Sequence, residues 1–294
     1  MQSNYWREVE QSGILRMELV DHVFSRFLQQ GIIKEDILDM MERFSLIAKF
    51  SLSPTDVKYF IPAQLKSSPN CLSEIEPSPS DPCPLYLHFV DGFVPHGLFP
   101  QLISKLSSWC SATGCTQPPN LYQNGARFII RAPSVHSFIL SCKKRFIKML
   151  LKHRTHGCAA SMSHSAKVAI SVRLFVEGTL QDLARELSHL SGLRYEFCVA
   201  CPSCLQEDHE CEKHSQPSCV HEDCLHLLDI RQGERLLCMK SFVDEVLTVH
   251  GLEKWFPRSS QVLSLYRCDG ALFCFPLVRD ERISRYCLRG QCFF

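Results

Sequence analysis

Apolar residues fall at Val20, Val23, Phe24, Phe27 and Leu28. This i, i+3, i+4, i+7, i+8 spacing marks one helix face and predicts a helix over residues 14–30, with Gly31 ending it in the C′ position. A second helix is expected from Glu35, burying Ile37, Leu38, Met41, Phe44 and Leu46. Tyr59 to Ile61 then form a short strand that Pro62 stops. Two short helices and a strand within residues 1–65 have the scale of a winged-helix module. Any small helical subdomain is the plainer reading.

Residues 66–84, KSSPNCLSEIEPSPSDPCP, are rich in Pro and Ser and poor in large apolar groups. Such a segment buries too little to hold itself in one conformation and predicts a linker. From Leu85 the pattern changes. LYLHF alternates as a strand does, and FVPHGLFPQLISKLSSWC turns through two prolines into a helix carrying Leu98, Leu102, Ile103 and Leu106. LYQNGARFII reads as a hairpin, because Asn124-Gly125 suits the positive φ angles of a type I′ turn. FILSC and RFIKMLLK are strand-like, and VAISVRLFVEG at 168–178 reads as the cleanest strand. Thr179 then caps a helix, TLQDLARELSHLSG, with Asp182 at N3 and Gly192 closing it. RYEFCVA is a further strand. The expected class is α+β: a winged-helix-like subdomain at 1–65, the linker at 66–84, and a larger mixed sheet-and-helix subdomain at 85–294.

Hydrophobic content of 45% with 21% charged residues is that of a globular chain. A net charge of +1 gives no global field to attract nucleic acid or acidic lipid. No apolar run reaches the roughly 18 residues of a membrane span. The 17 cysteines cannot all pair, and no secretory leader pattern opens the chain, so reduced thiols in a cytoplasmic protein are expected. The opening NYWREVEQSG begins in mid-pattern, as a segment of a longer protein would.

Chemistry concentrates at 198–228, CVACPSCLQEDHECEKHSQPSCVHEDCLHLL. Thiolates and imidazoles at this density point to zinc. Cys201-Pro-Ser-Cys204 is a C-x2-C knuckle that supplies two ligands to one tetrahedral ion. The other two are open. A local solution takes Cys211 with His214, or Cys219 with His221 or Cys224. A wider one takes Cys224 and Cys238, so that Cys201, Cys204, Cys224 and Cys238 form a zinc-ribbon-like hook between two strands. That set is the expected structural zinc site, with Cys211, His214 and Cys219 as competitors. Reduced surface thiols in a loop are the plainer alternative. A zinc deaminase needs H-x-E upstream of P-C-x-x-C, and no H-x-E precedes Cys201.

Other chemistries find little support. The run Lys143, Lys144, Arg145, Lys148, Lys152, Arg154 suggests a phosphate patch, but Phe146, Met149 and Leu151 interleave with it as on a solvated strand. Hydrolase motifs G-x-S-x-G and H-E-x-x-H are absent, as is the P-loop G-x-x-x-x-G-K-[ST]. Glu207, Glu210 and Glu222 are water-activating candidates by proximity alone.

Taken in order, several segments resemble the COR (C-terminal of Roc) region of Roco-family proteins. GILRMELVDHVF, ILDMMERFSLIAKF and KYFIPAQL are similar to the first COR subdomain with its winged-helix-like helices. FVPHGLFPQLISKL and LYQNGARFII are similar to the opening of the second. Cys201-Pro-Ser-Cys204, EDCLHLL and LLCMKSF with GLEKWFP resemble the cysteine tail of some animal Roco proteins. The loop between Cys204 and Cys224 is richer in cysteine than that pattern, and the stretch after Cys238 lacks its histidine. The resemblance implies a non-catalytic module that couples an adjacent Roc-type GTPase, in cis, to homodimerisation and intracellular signalling. The competing expectation is a zinc-containing winged-helix nucleic-acid-binding protein. Glu35, Asp36, Asp39 and Glu42 on its would-be recognition helix argue against that.

Overall fold

The computed structural model describes residues 2–53, 56–68, 77–113, 117–132, 134–154 and 162–205. Beyond these it describes 210–211, 214, 216–217, 221, 224–230, 235–238, 244–246 and 251–257. The expected C-terminal part of the second subdomain, from 258 on, lies outside the described residues.

The fold is α+β. It opens with α1 (Gln2–Ser12), β1 (Ile14–Arg16), α2 (Met17–Val23), α3 (Ser25–Gln29), α4 (Lys34–Arg43), β2 (Ala48–Ser53) and β3 (Asp56–Phe60). The three strands are antiparallel in the order β1-β3-β2, with Phe60 opposite both Ile14 and Ala48. Helices followed by a two-stranded wing, with the last strand in the middle, are the winged-helix arrangement. Val9, Leu15, Leu19, Val20, Leu38, Ile47 and Tyr59 form its core.

Two expectations for this unit need correction. The helix predicted over 14–30 is a strand followed by two short helices, because Leu15 pairs with Tyr59 in the sheet. The first of these helices ends at Val23, which is exposed, and the break at Phe24 rotates Phe27 off the apolar face and leaves it exposed too. Gly31 does take a positive φ, at +85°. In the second helix Leu38 is buried as expected. Phe44 and Leu46 lie beyond its end and are 68% and 55% exposed.

A second sheet has seven antiparallel strands in the order β12-β9-β4-β8-β7-β6-β5. They are β4 (Leu85–Phe89), β5 (Asn120–Tyr122), β6 (Gly125–Ala132), β7 (Ser134–Cys142), β8 (Phe146–His153), β9 (Tyr195–Ala200) and β12 (Leu227–Asp229). Two helices, α5 (Leu98–Ala112) and α6 (Met162–Glu186), cover one face. Leu85, Leu87, Phe128, Phe138, Ile147, Met149 and Phe197 meet Leu102, Leu106, Val172 and Val176 there in one buried cluster. β4 is central and carries burial on both sides, so its alternating pattern marks two apolar faces. On the other face Tyr86, Phe146, Cys198 and Leu225 pack together.

The strand expected at 168–178 is the middle of α6. Val168, Ile170 and Val172 alternate as a strand does, yet the buried set Val168, Ala169, Val172, Val176, Leu180, Leu183 runs at helical spacing. β-branched residues cost a helix only about 0.7 kcal/mol each, and burial against a sheet outweighs that. Thr179 and Asp182 therefore lie inside the helix, and the chain leaves it at Glu186, before Gly192. The hairpin at 120–132 exists, but Tyr122 pairs with Gly125, so Gln123 and Asn124 form its tip. Tertiary bonds set that tip. Gln123 N–H donates to the Lys66 carbonyl at 2.8 Å, and Asn124 Oδ1 accepts from Ser68 N–H at 2.7 Å.

Those bonds also hold the start of the expected linker, and its end is built into the core. Asp81 is 2% exposed and accepts from His153 N–H and from Ser78 N–H and hydroxyl. Lys254 Nζ, also buried, donates to the Ser80 and Asp81 carbonyls at 2.6 and 3.3 Å. Trp255 Nε1 donates to the Cys83 carbonyl at 2.7 Å. Both belong to a last short helix, α7 (Leu252–Trp255). Residues 69–76 of the linker lie outside the described residues.

The two units share a seam. Ala48, Phe60 and Leu65 of the first join the large core of the second. Gln101 Nε2 donates to the Glu42 carbonyl, and the Ser104 hydroxyl to the Lys49 carbonyl. At the seam Gly97 (φ +79°) faces Ser45 (φ +56°), and a Cβ on Gly97 would come within 2.6 Å of the Ser45 Cβ. Gly97→Ala is expected to destabilise by about 2–4 kcal/mol in urea unfolding, from left-handed strain plus overpacking. Ser45→Gly added to it should recover the steric part. Purely additive effects of the two would show that the close approach does not exist.

Candidate metal centre

β9 ends at Ala200 and β12 begins at Leu227, and these two residues pair. The next position along the ribbon sets Cys201 across from His226, and Cys201 N–H donates to the His226 carbonyl at 2.9 Å. A short 3-10 turn at Ser203–Leu205 follows Pro202 and brings Cys204 back toward Cys201. Cys238 arrives from the end of β13 (Arg235–Leu237), which pairs with β14 (Asp244–Val246).

The ligand atoms of Cys201, Cys204, His226 and Cys238 all lie within 4.8 Å of one another. Cys204 Sγ is 3.6 Å from Cys238 Sγ and 3.6 Å from His226 Nδ1, and Cys238 Sγ is 3.2 Å from His226 Nδ1. Around a tetrahedral zinc with Zn–S of about 2.3 Å and Zn–N of about 2.0 Å, ligand edges are about 3.8 Å for S···S and 3.5 Å for S···N. The four donors therefore stand at separations compatible with a metal site.

Three of the expected ligands, Cys201, Cys204 and Cys238, are in this group. The fourth corner holds His226. Cys224 Sγ lies instead 3.4 Å from His214 Nδ1. The expected hook has Cys224 at this corner, while the β9–β12 register puts His226 opposite Cys201. A histidine immediately before a strand that pairs with the one ahead of C-x2-C is the signal, and it needs the pairing to be known. Cys219, the Cys211 side chain and the carboxylates of Glu207, Glu210 and Glu222 lie outside the described residues. A second trio, His88, Glu196 and Cys198, shares the outer sheet face. Burial, and Arg145 beside it, hold His88 below its ordinary value and favour its uncharged form.

The expected basic run is split by strand alternation. Lys143 and Lys144 are exposed in the β7–β8 turn, Lys148 and Lys152 alternate with the buried Ile147, Met149 and Leu151, and Arg154 is exposed just past β8. Among the described residues no helix is long and apolar enough to cross a membrane. Comparison with protein-family models and with curated proteins gives no match.

Electrostatics make the thiol cluster a poor home for anions without a cation. Burial raises Cys201, and burial with the neighbouring Cys238 and Cys201 pushes Cys204 up to about 12. The metal-free folded chain thus holds this proton more tightly than the unfolded chain. Its contribution to stability is complete below the ordinary thiol value and is lost as pH rises toward about 12. Iodoacetamide kinetics, mapped by mass spectrometry on the reduced, metal-free chain, should find Cys204 slow near pH 8 and faster only at higher pH. A midpoint near an ordinary thiol's roughly 8.5 would contradict the buried cluster.

Proposed function

We propose that this chain is a COR-type coupling module that transmits the state of an adjacent Roc-type GTPase to a homodimer and to signalling partners in the cytoplasm, and that it carries out no chemistry itself. The observation that carries this reading is the order of the parts. A winged-helix unit is followed by an α+β sheet unit, and the two share one core through Ala48, Phe60 and Leu65. That is the organisation the COR resemblance implies, and a shared core lets a push on one unit move the other.

The surface of the winged-helix unit supports a protein partner over nucleic acid. On α4, Glu35, Asp36 and Asp39 are exposed, Lys34 is paired with Asp21, and Arg43 with Asp39. Ile33, Met40 and Phe44 stand exposed beside them. Carboxylates repel a phosphate backbone, and bare apolar groups suit a protein surface.

In the same reading Cys201, Cys204, His226 and Cys238 hold a structural zinc. It closes all four positions with protein side chains and so leaves none for substrate. Light scattering at micromolar concentration should give twice the mass of one chain, and a persistent monomer would remove the dimer part. Nucleic-acid affinity that falls steeply with salt would favour the alternative. Less than about 0.2 zinc per purified chain would remove the staple, because a site built on folding keeps its metal.

A further inference from the structure

The face of the large sheet away from α5 and α6 carries three donors that the first cluster does not use. His88 on β4 pairs directly with Glu196 on β9, and Tyr86 pairs with Cys198. Residues two apart on a strand share a face, so His88, Glu196 and Cys198 form a triangle of one cross-strand pair and its diagonal neighbour. Their ligand atoms all lie within 4.8 Å of one another. A four-coordinate zinc holds such donors at edges of about 3.3–3.6 Å, which small side-chain rotations supply.

The triangle is dry on one side and wet on the other. Cys198 is 2% exposed and packs with Tyr86, Phe146 and Leu225. Phe146 pairs with His88 from β8, and its ring meets that of Tyr86 edge-on at 5.3 Å. β12 returns after the short ribbon of β10 (Glu210–Cys211) and β11 (Gln216–Pro217) and pairs with the far side of β9, with Leu225 just ahead of it. His88 and Glu196 are half-buried and reach solvent. Cys198 and Cys201 belong to apolar clusters on the two sides of the sheet, so this trio and the first four donors share no ligand.

The charges match a divalent ion. The Glu196 carboxylate and the Cys198 thiolate bring two negative charges, and the His88 imidazole binds in its neutral form. Arg145 favours that neutral form, and its own charge makes this a weaker site than the four-donor cluster.

We propose that this sheet face binds a second zinc ion through the His88 imidazole, the Glu196 carboxylate and the Cys198 thiolate, with the fourth position open to water. Three protein ligands and one exchangeable position set it apart from a closed structural site. The ion exchanges with free zinc, and its binding releases the Cys198 proton to solvent. The site stands independently of the COR reading and of the structural zinc.

The test is equilibrium dialysis of the full chain against micromolar free zinc, with bound zinc counted by elemental mass spectrometry. The parent is expected to hold about one zinc per chain more than His88→Gln and about one more than Glu196→Gln. Both side chains lie at the surface of the sheet, so both variants are expected to fold, which circular dichroism checks. The readout is a difference between chains, so it reports on this site whether or not Cys238→Ser shows the first to be occupied. A parent that holds no more zinc than either variant overturns the proposal. Cobalt added to the zinc-loaded parent needs no variant. One further equivalent with the thiolate charge-transfer band of a single sulfur is expected. Cobalt that binds without that band, or does not bind, overturns the proposal.

Discussion

Helix α5 is buried on both of its sides, and that constraint organises the molecule. Leu98, Leu102, Ile103 and Leu106 have essentially no exposure, and Trp109 stacks on Phe175 of α6 at 4.9 Å. Each such side chain contributes about 1.5–3 kcal/mol when fully buried. The polar groups it buries have no solvent, so each needs an internal partner. Ser107 and Ser111 hydroxyls donate to carbonyls one turn back, while Ser104 reaches across to the Lys49 carbonyl of β2. The winged-helix unit is therefore attached to the same helix that covers the large sheet. Displacing one unit from the other exposes apolar surface and strips hydrogen bonds together, so the pair is stiff at this seam.

The chain also closes on itself through Trp255. Trp255 is fully buried, with its indole N–H on the Cys83 carbonyl and its own carbonyl accepting from Arg173 Nε. Arg173 lies 4.6 Å from the Phe256 ring centroid and pairs with Glu177. This lock joins the entry to β4, the middle of α6 and the end of the described chain. The ribbon that carries the four candidate ligands spans the interval between β9 and this lock, so both of its ends are fixed to the main core.

Much of the sheet was legible because antiparallel strands and their turns are local. β4 and β6 to β9 stand where the runs of apolar residues placed them. α6 was misread because Val168, Ile170, Val172 and Val176 satisfy both periods, and only the sheet it covers decides between them. Asp81 and Pro82 looked like linker, since nothing local announces the His153 amide and the Lys254 ammonium that engage this segment. The knuckle Cys201-Pro-Ser-Cys204 was legible for the same reason the hairpins were: its ligands are three residues apart. His226 was not, because its place depends on which strand pairs with β9.

The ribbon that carries Cys201, Cys204, His226 and Cys238 has little else to hold it among the described residues. Among the described residues, β12 is three residues long and sits at the edge of the sheet, and β13 pairs with β14 alone. Between Cys201 and Cys238 the buried described side chains are few: the two cysteines, Leu225 and Leu228. Among the described residues, this sparse apolar burial stands against a backbone ordering entropy of about 1–2 kcal/mol for each residue. A cross-link is the usual remedy for such a segment. A disulfide serves poorly, since Cys204 and Cys238 sulfurs are 3.6 Å apart while a third thiol and an imidazole stand at the same distance scale. Four donors converging on one point satisfy a tetrahedral ion, and its charge removes the penalty that otherwise keeps these thiols protonated.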